Sequence, residues 1–241
     1  TRLRLVEPQA VKEPDAGVVA TLKRVLGQQP VRFDYYSPYS PPGQTQQQTD
    51  AKNTQDFVTS QNSAELAALA YLDETKIVVT QVAGDSPSHG KLAPKDTITT
   101  VQGTPVGDVN DLGKVLGATK PGTTVTVDYL RGDKPGTARI TTTKGTDEDG
   151  APRAVLGVGV SLESTAPYAV KIALDDRIGG PSAGLMFALG ILDKIGPADL
   201  TGGRFIAGTG TIDVTGEVGP IGGIPLKLIA AKDKGANAFL V

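Results

Sequence analysis

The sequence has no cysteine and no tryptophan, and it contains one methionine and one histidine, His89, among its 241 residues. The absence of cysteine excludes thiol nucleophiles, cysteine-ligated zinc and disulfides. A Ser-His-Asp triad or a histidine-rich metal site would have to use the single histidine, which lies in a turn-forming segment and which we expect to be solvated. The composition therefore predicts no metal and no cofactor, and an enzyme with this sequence must take its base from Lys, Asp or Glu.

The charge balance and the lack of long apolar runs argue against a nucleic-acid-binding protein and against a membrane span within these residues. Lys and Arg number 24 against 26 for Asp and Glu, which gives a formal net charge of -2, and aromatic residues make up 5%. This balance predicts no nucleic-acid partner, because such partners need a basic surface. No apolar run approaches the roughly 18 residues of a membrane span. Because the chain begins without Met and stops in an apolar stretch, we expect a fragment, with membrane contact only through a segment missing from it.

Residues 75–144 consist of short β-branched runs separated by turns, which predicts a small β-rich domain at 74–144. Residues 86–92 (SPSHGKL), 96–98 (DTI) and 103–106 (GTPV) make this region resemble a circularly permuted bacterial PDZ domain, although Lys95 replaces the Gly that usually precedes the Asp. The resemblance implies peptide binding by addition of a strand to a sheet edge. The alternative is a module that packs structurally without binding peptides.

The segments that flank this region differ from it in amino-acid composition. Residues 37–50 are rich in Pro, Gln and Ser and predict an exposed loop, and apolar residues at helical spacing predict a helix over 53–72. Residues 145–150 (GTDEDG) are acidic and flanked by Gly, which is typical of a linker. We therefore expect a further folded part of the chain to begin at residue 150.

A candidate nucleophile follows in residues 179–184 (GGPSAG), which precede a helix that is apolar on nearly all faces. Gly-Gly permits a tight turn, and Ser182 would then lie where the amides of a helix N-terminus converge. Backbone amides near Gly180 and Ala183 could stabilise an oxyanion. The alternative is that Ser182 is an ordinary N-cap. Two stretches that approach a phosphate-binding loop, 84–91 and 107–114, have the wrong spacing and lack the required Ser or Thr, so we predict no ATP binding.

The candidate base is Lys227, which enters an apolar helix after the Gly-Gly turn at 222–223. A lysine with its ordinary pKa of about 10.4 is protonated near neutrality, so it can act as a base only where burial lowers that pKa. Lys227 must therefore be half-buried. Lys232 and Lys234 are expected to be solvated near the end of the same helix. Taken alone, Lys227 could equally be a surface side chain.

Four motifs in order, 180–184 (GPSAG), 208–212 (GTGTI), 216–223 (GEVGPIGG) and Lys227, resemble the proteolytic domain of the Lon family. The resemblance implies that Ser182 is the nucleophile, that Lys227 is its base in a Ser-Lys dyad, and that Thr209 supports both by hydrogen bonding. ATP-dependent members often carry a second Lys where Pro225 stands here, which leaves Lys227 as the candidate in this turn.

Together the two resemblances suggest a PDZ-containing Lon-like protease of α+β fold, in which the PDZ domain is inserted into a Lon-type proteolytic domain. Residues 1–73 would supply the N-terminal part of the protease domain and 150–241 its proteolytic core. The implied function is an ATP-independent serine endopeptidase that cleaves unfolded or extended proteins recruited by the PDZ domain. The group also implies a homo-oligomer anchored at the extracytoplasmic face of a bacterial membrane. The alternative function is a PDZ adaptor or scaffold with an inactive Lon-like platform.

Overall fold

A computed structural model describes residues 45–146, 150–172 and 180–241. The loop expected over 37–44, and any element that residues 1–44 contribute to a protease domain, lie outside these residues. The helices and strands, in chain order, are α1 (Gln46–Tyr71), β1 (Thr75–Val82), β2 (Asp96–Val101), β3 (Thr104–Pro105), α2 (Val109–Gly117), β4 (Thr124–Arg131), β5 (Lys134–Thr141), β6 (Thr143–Thr146), β7 (Pro152–Val155), β8 (Val158–Ser164), α3 (Gly184–Ile195), β9 (Ile206–Gly208), β10 (Thr211–Ile212), β11 (Val218–Gly219), α4 (Ile224–Asp233) and β12 (Ala238–Leu240).

Helix α1 begins earlier than its apolar spacing predicts. Thr45 is the N-cap and forms a capping box with Gln48: the Thr45 hydroxyl accepts from the Gln48 N–H at 3.2 Å, and the Gln48 side chain accepts from the Thr45 N–H at 2.9 Å. Such reciprocal bonds satisfy two donors that a helix start leaves unpaired. The loop prediction is therefore wrong over residues 46–50, where the Gln-rich sequence is helical.

The β-rich region forms an antiparallel sheet with the strand order β5-β4-β2-β1-β8, and β3 pairs with β2. In β4 the buried side chains Val125 and Val127 alternate with less buried ones, as their spacing predicts. Each such buried side chain stabilises the fold by roughly 1.5–3 kcal/mol. The core of this sheet contains Ile77, Val79, Ile98, Val101, Val125, Val127 and Ile140.

The turn before β2 keeps the geometry of a glycine although Lys95 occupies it. Lys95 has a φ of +74°, and its N–H donates to the Val79 carbonyl at 2.8 Å. The following Asp96 is fully buried, and both its carboxylate oxygens accept from Arg131, at 2.8 and 2.7 Å. Burial raises the pKa of Asp96, but hydrogen bonds from Arg131 and the Ala93 amide outweigh that effect and hold the pKa below its usual value.

The sheet also includes a strand from beyond the predicted linker. Strand β8 pairs antiparallel with β1, with Ile77 opposite Leu162, and Leu156 and Leu162 join the core of the sheet. Gly145 and Thr146 belong to β6, which pairs with β7, so this part of the segment predicted as a linker is strand; residues 147–149 lie outside the described residues. The packing therefore does not follow the boundaries predicted at 144 and 150, because the β6–β7 pair returns the chain to the sheet.

Helix α1 packs against α3, which follows the sheet in sequence. Ala64 and Ala68 of α1 form a buried cluster with Phe187, Ala188 and Ile191 of α3. The rings of Phe57 and Phe187 meet edge to face, with centroids 5.7 Å apart. The PDZ-like strands β1 to β5 therefore lie, in sequence, between two helices that pack together.

Candidate active site

The turn that carries Ser182 precedes helix α3 rather than forming its first turn. Gly180 has a φ of +81°, which a side chain would disfavour, and the helix begins at Gly184 with Ala183 as its N-cap. No side chain caps this helix, so Ser182 is not the N-cap and its hydroxyl remains available for other contacts.

Helix α1 holds the turn that carries Ser182 at two points. The Gly180 N–H donates to the carbonyl of Asn53 at 3.0 Å, and the hydroxyl of Ser60 donates to the carbonyl of Pro181 at 3.0 Å. Ser60 is buried. The Gly180 amide, expected to bind an oxyanion, is therefore already used in this arrangement, contrary to that part of the prediction. Ala183, the other amide named for that role, lies at the N-terminus of α3, where the positive end of the helix dipole favours negative charge.

Lys227 lies in the first turn of α4. Gly223 is the N-cap in the left-handed conformation, and its carbonyl accepts from the Lys227 N–H at 3.2 Å. The burial pattern around Lys227 is inverted: Leu226 and Leu228 are 48% and 49% exposed, whereas the lysine between them is half-buried. A local exchange of apolar and charged positions of this kind is expected at functional sites, not in ordinary surface helices.

The side chains of Ser182, Thr209 and Lys227 meet in one hydrogen-bonded group. Lys227 Nζ lies 2.9 Å from Ser182 Oγ and 3.0 Å from Thr209 Oγ1. The Thr209 hydroxyl donates to the Ser182 carbonyl at 2.9 Å, and the Gly210 N–H donates to the same carbonyl at 2.9 Å. Because a hydroxyl has one hydrogen, Thr209 can only accept from Lys227, which orients the amine.

The surroundings of Lys227 favour its neutral form. Burial lowers the pKa of Lys227 below its ordinary value. Within the described residues, no carboxylate lies within 4.0 Å of Lys227 Nζ to stabilise the charge. A neutral amine here could donate one N–H to Thr209 and direct its lone pair at the Ser182 hydroxyl. Lys232 and Lys234, on the same helix and at its end, are exposed as predicted.

A cavity of about 190 Å³ lies beside the turn that carries Ser182, between α1 and β10. Its walls include Thr59, Ser60, Pro181 and Ile212. The sequence motifs identified neither this cavity nor the contacts of Asn53 and Ser60, because these join residues more than a hundred positions apart in the chain. In the parts of the chain that the structure describes, no group of three His, Asp or Glu side chains could hold a metal ion, and no helix is long and apolar enough to cross a membrane.

Comparison with known proteins identifies one part of the chain. The PDZ domain family model matches residues 45–142. Among solved structures, the PDZ domain of an SdrC-like protein from Listeria monocytogenes is 28% identical over 35% of this chain and 85% of its own, with a TM-score of 0.31. The corresponding domain from Listeria innocua is 27% identical over 35% and 92%, with a TM-score of 0.31. A structure from Geobacillus thermodenitrificans is 21% identical over 35% and 94%, with a TM-score of 0.31. No curated protein matches the chain.

The chain contains a PDZ domain, as residues 86–106 predicted, and the matched range begins at the N-cap of α1. PDZ domains bind peptides or proteins, so this part of the chain indicates protein–protein interaction. Among the residues that the structure describes, β8 and β5 lie at the two edges of the sheet, and an edge strand is the element to which an extended peptide can add.

Proposed function

We propose that the chain is a serine endopeptidase that uses a Ser-Lys dyad, without ATP, on extended segments of proteins recruited by its PDZ domain. The observation that supports this most directly is the 2.9 Å separation of Lys227 Nζ and Ser182 Oγ, with Thr209 as a common partner. The half-burial of Lys227 between two exposed leucines supports it further, because a lysine is placed inward here at the expense of apolar residues.

In the proposed reaction, neutral Lys227 takes the proton of the Ser182 hydroxyl as Oγ attacks the scissile carbonyl carbon. The resulting ammonium is stabilised by the hydrogen bond that Thr209 accepts. The proton then passes from Lys227 to the leaving amine, the C–N bond breaks, and a water molecule hydrolyses the acyl-enzyme with Lys227 again as base. Backbone amides at the start of α3, including that of Ala183, would stabilise the oxyanion.

The PDZ domain would supply substrates by adding an extended segment of a partner protein to β8, which is an edge strand of the sheet within the described part of the chain. This strand follows Gly157, whose φ is +73° and whose missing side chain admits Ser86 and Pro87 at close range. The Leu156 carbonyl in the same loop accepts from the buried Ser88 hydroxyl at 2.6 Å. The loop before β8 is therefore rigid, which favours binding because little ordering is required when a peptide docks.

The second candidate is a PDZ adaptor or scaffold with an inactive Lon-like platform. A PDZ domain over residues 45–142 indicates protein–protein interaction, which an adaptor would perform without catalysis. The two candidates differ in whether the half-buried Lys227 and Ser182 perform chemistry or only contribute packing.

Cleavage of an unfolded protein such as casein tests the two candidates. We expect the wild-type chain to cleave it, and Ser182→Ala and Lys227→Ala each to lower the rate roughly 10²- to 10⁴-fold or more. Lys232→Ala is the matched control, because Lys232 lies on the same helix and is exposed; its rate should equal that of the wild type.

The state of assembly is measured alongside by sedimentation, because the resemblance to Lon-like proteins predicts an oligomer. Cleavage by the wild type that both variants retain would eliminate the dyad. No cleavage by an assembled wild-type chain that still binds peptides would favour the adaptor.

A further inference from the structure

The hairpin formed by β10 and β11 connects the two halves of the proposed dyad. It starts directly after Thr209 and Gly210 and ends shortly before the Gly-Gly turn that leads to Lys227. Thr211 pairs with Gly219, and Ile212 pairs with Val218. A displacement of this hairpin would therefore act on the partner of Ser182 and on the approach to Lys227 together.

The base of the hairpin packs tightly against the nucleophile helix. The Gly210 N–H donates to the Ser182 carbonyl, and the Gly210 carbonyl accepts from the Leu185 N–H at 3.1 Å. A Cβ at Gly210 would lie 2.9 Å from Val218 Cγ1 and 3.1 Å from Leu185 Cβ, so no free space separates the hairpin from α3. Contacts this close transmit a shift instead of absorbing it.

The tip of the hairpin is rigid. The Asp213 carboxylate accepts from the Thr215 N–H at 2.9 Å, the Thr215 hydroxyl at 2.6 Å and the Glu217 N–H at 2.9 Å. Gly216 adopts a φ of +85°, and the Asp213 N–H donates to the Glu217 carbonyl at 3.1 Å. These bonds fix the turn from inside, so the tip moves with its strands.

This tip contacts the PDZ domain. The side-chain amide of Asn110, in the first turn of α2, donates to the Thr215 carbonyl at 2.8 Å. Val214, two residues beyond β10, packs against the hydrophobic core of the PDZ sheet. One polar and one apolar contact thus join the PDZ domain to the turn, and the polar contact links residues 105 positions apart.

We propose that Asn110 and Val214 are positioning residues through which the PDZ domain sets the geometry of Ser182 and Lys227, by way of the β10–β11 hairpin. The proposal rests on the proposed peptidase function, and it adds to the recruitment of substrate a direct control of the dyad. A partner bound to the PDZ domain that displaces the tip would change the turnover of substrates that never touch that domain.

The test uses a fluorogenic peptide too short to need the PDZ domain and the double variant Asn110→Ala/Val214→Ser. We expect kcat to fall roughly 3- to 30-fold, the range found for couplings between distant sites, with KM unchanged. The acid limb of the pH profile should move to higher pH, because a loosened site admits water to Lys227. Two controls should match the wild type in kcat. Val214→Ile keeps the apolar contact, and Lys114→Ala lies on the exposed face of α2, the helix that carries Asn110.

A second readout does not depend on peptidase activity. Acetylation of Lys227 by acetic anhydride, followed by mass spectrometry across a pH series, reports how readily this amine loses its proton. A higher midpoint for the acetylation of Lys227 in the double variant than in Lys114→Ala supports the coupling. This holds even if the wild type cleaves nothing, a result that would refute the proposed peptidase function but not the contact between the PDZ domain and the hairpin. Asn110→Ala alone serves if the double variant does not fold, because Asn110 is exposed. Equal midpoints and equal kcat in variant and control overturn the proposal.

Discussion

Replacement of Thr209 by Val removes one hydroxyl from the centre of the proposed dyad with little change of shape. Thr209 is 3% exposed, so Val fills the same buried space. The change removes the bond to the Ser182 carbonyl, a neutral hydrogen bond of about 1 kcal/mol, and the bond accepted from Lys227, which is charge-assisted when the amine is protonated. Because Gly210 still donates to the same carbonyl, we expect a loss of about 2 kcal/mol in the free energy of unfolding, roughly 1 kcal/mol for each lost hydrogen bond.

The same substitution should lower kcat about 10- to 100-fold, because the amine loses the acceptor that orients it. The pH dependence identifies the cause. An acceptor stabilises the ammonium more than the neutral amine, so its removal lowers the pKa of Lys227 further and moves the acid limb to lower pH. A lower kcat on the pH plateau together with an acid limb at lower pH would therefore show that the Lys227 amine is misoriented, and not that it is more often protonated.

The assays are urea unfolding and cleavage of a short fluorogenic peptide across a pH series. Thr209→Ser keeps the hydroxyl and loses one methyl group, and it should keep most of the wild-type kcat. The reasoning is refuted if Thr209→Val matches the wild type in kcat and in the free energy of unfolding, or if the Ser variant loses as much activity as the Val variant.

Three further substitutions test the fold and the turn. Lys95→Gly should raise the free energy of unfolding in urea by about 0.5–1 kcal/mol, because Lys95 has a φ of +74° and Gly relieves that strain; a loss of stability would contradict this. Gly184→Ala places a Cβ 2.8 Å from Ser60 Oγ and 3.0 Å from Ile212 Cγ2, so the nucleophile helix must shift and kcat for a short peptide should fall about tenfold or more; an unchanged kcat would show that the site absorbs the methyl group. Asp96→Asn should cost about 2 kcal/mol of unfolding free energy at neutral pH by weakening the charge-assisted bonds to half-exposed Arg131. The pKa of Asp96 is lowered in the folded chain, so the wild type should lose this stability as pH falls through that value while the variant does not, a difference that urea melts at low and neutral pH would reveal.

Local signals predicted the PDZ strands and the tight turns before Ser182 and Lys227, whereas the grouping of the two side chains was implied by the resemblance to the Lon family. Alternation in a strand such as β4 follows directly from the two-residue period of a sheet. Gly-Gly turns at the two helix entries mark positions where the backbone must turn tightly, and the structure has a positive φ at Gly180 and Gly223. These features depend on a few neighbouring residues, and a sequence displays them.

Other features depend on contacts across the chain. The hydrogen bond from Ser60 to Pro181 joins residues 121 positions apart, and no periodicity marks it. The same holds for the Gly180 amide, which was expected to face an oxyanion and instead bonds to Asn53. The Gln-rich start of α1 has too few apolar residues to show a helical face, and its capping box alone indicates the helix. The sequence prediction placed β8 outside the sheet, because an acidic, Gly-flanked segment with the composition of a linker precedes it.

The most direct test of the dyad is the titration of the Lys227 amine itself, followed by NMR of lysine side chains labelled with ¹³C and ¹⁵N, with Lys227→Arg to assign its signal. Burial lowers the pKa of Lys227, so its signal should change at lower pH in the folded chain than in the chain unfolded by urea. Since the unfolded chain then holds more protons than the folded one between the folded and unfolded pKa values of Lys227, the free energy of unfolding should also rise with pH across that interval. A Lys227 signal that titrates at the same pH in the folded and the unfolded chain would contradict the account, because a lysine with an ordinary pKa cannot act as the base for Ser182 near neutral pH.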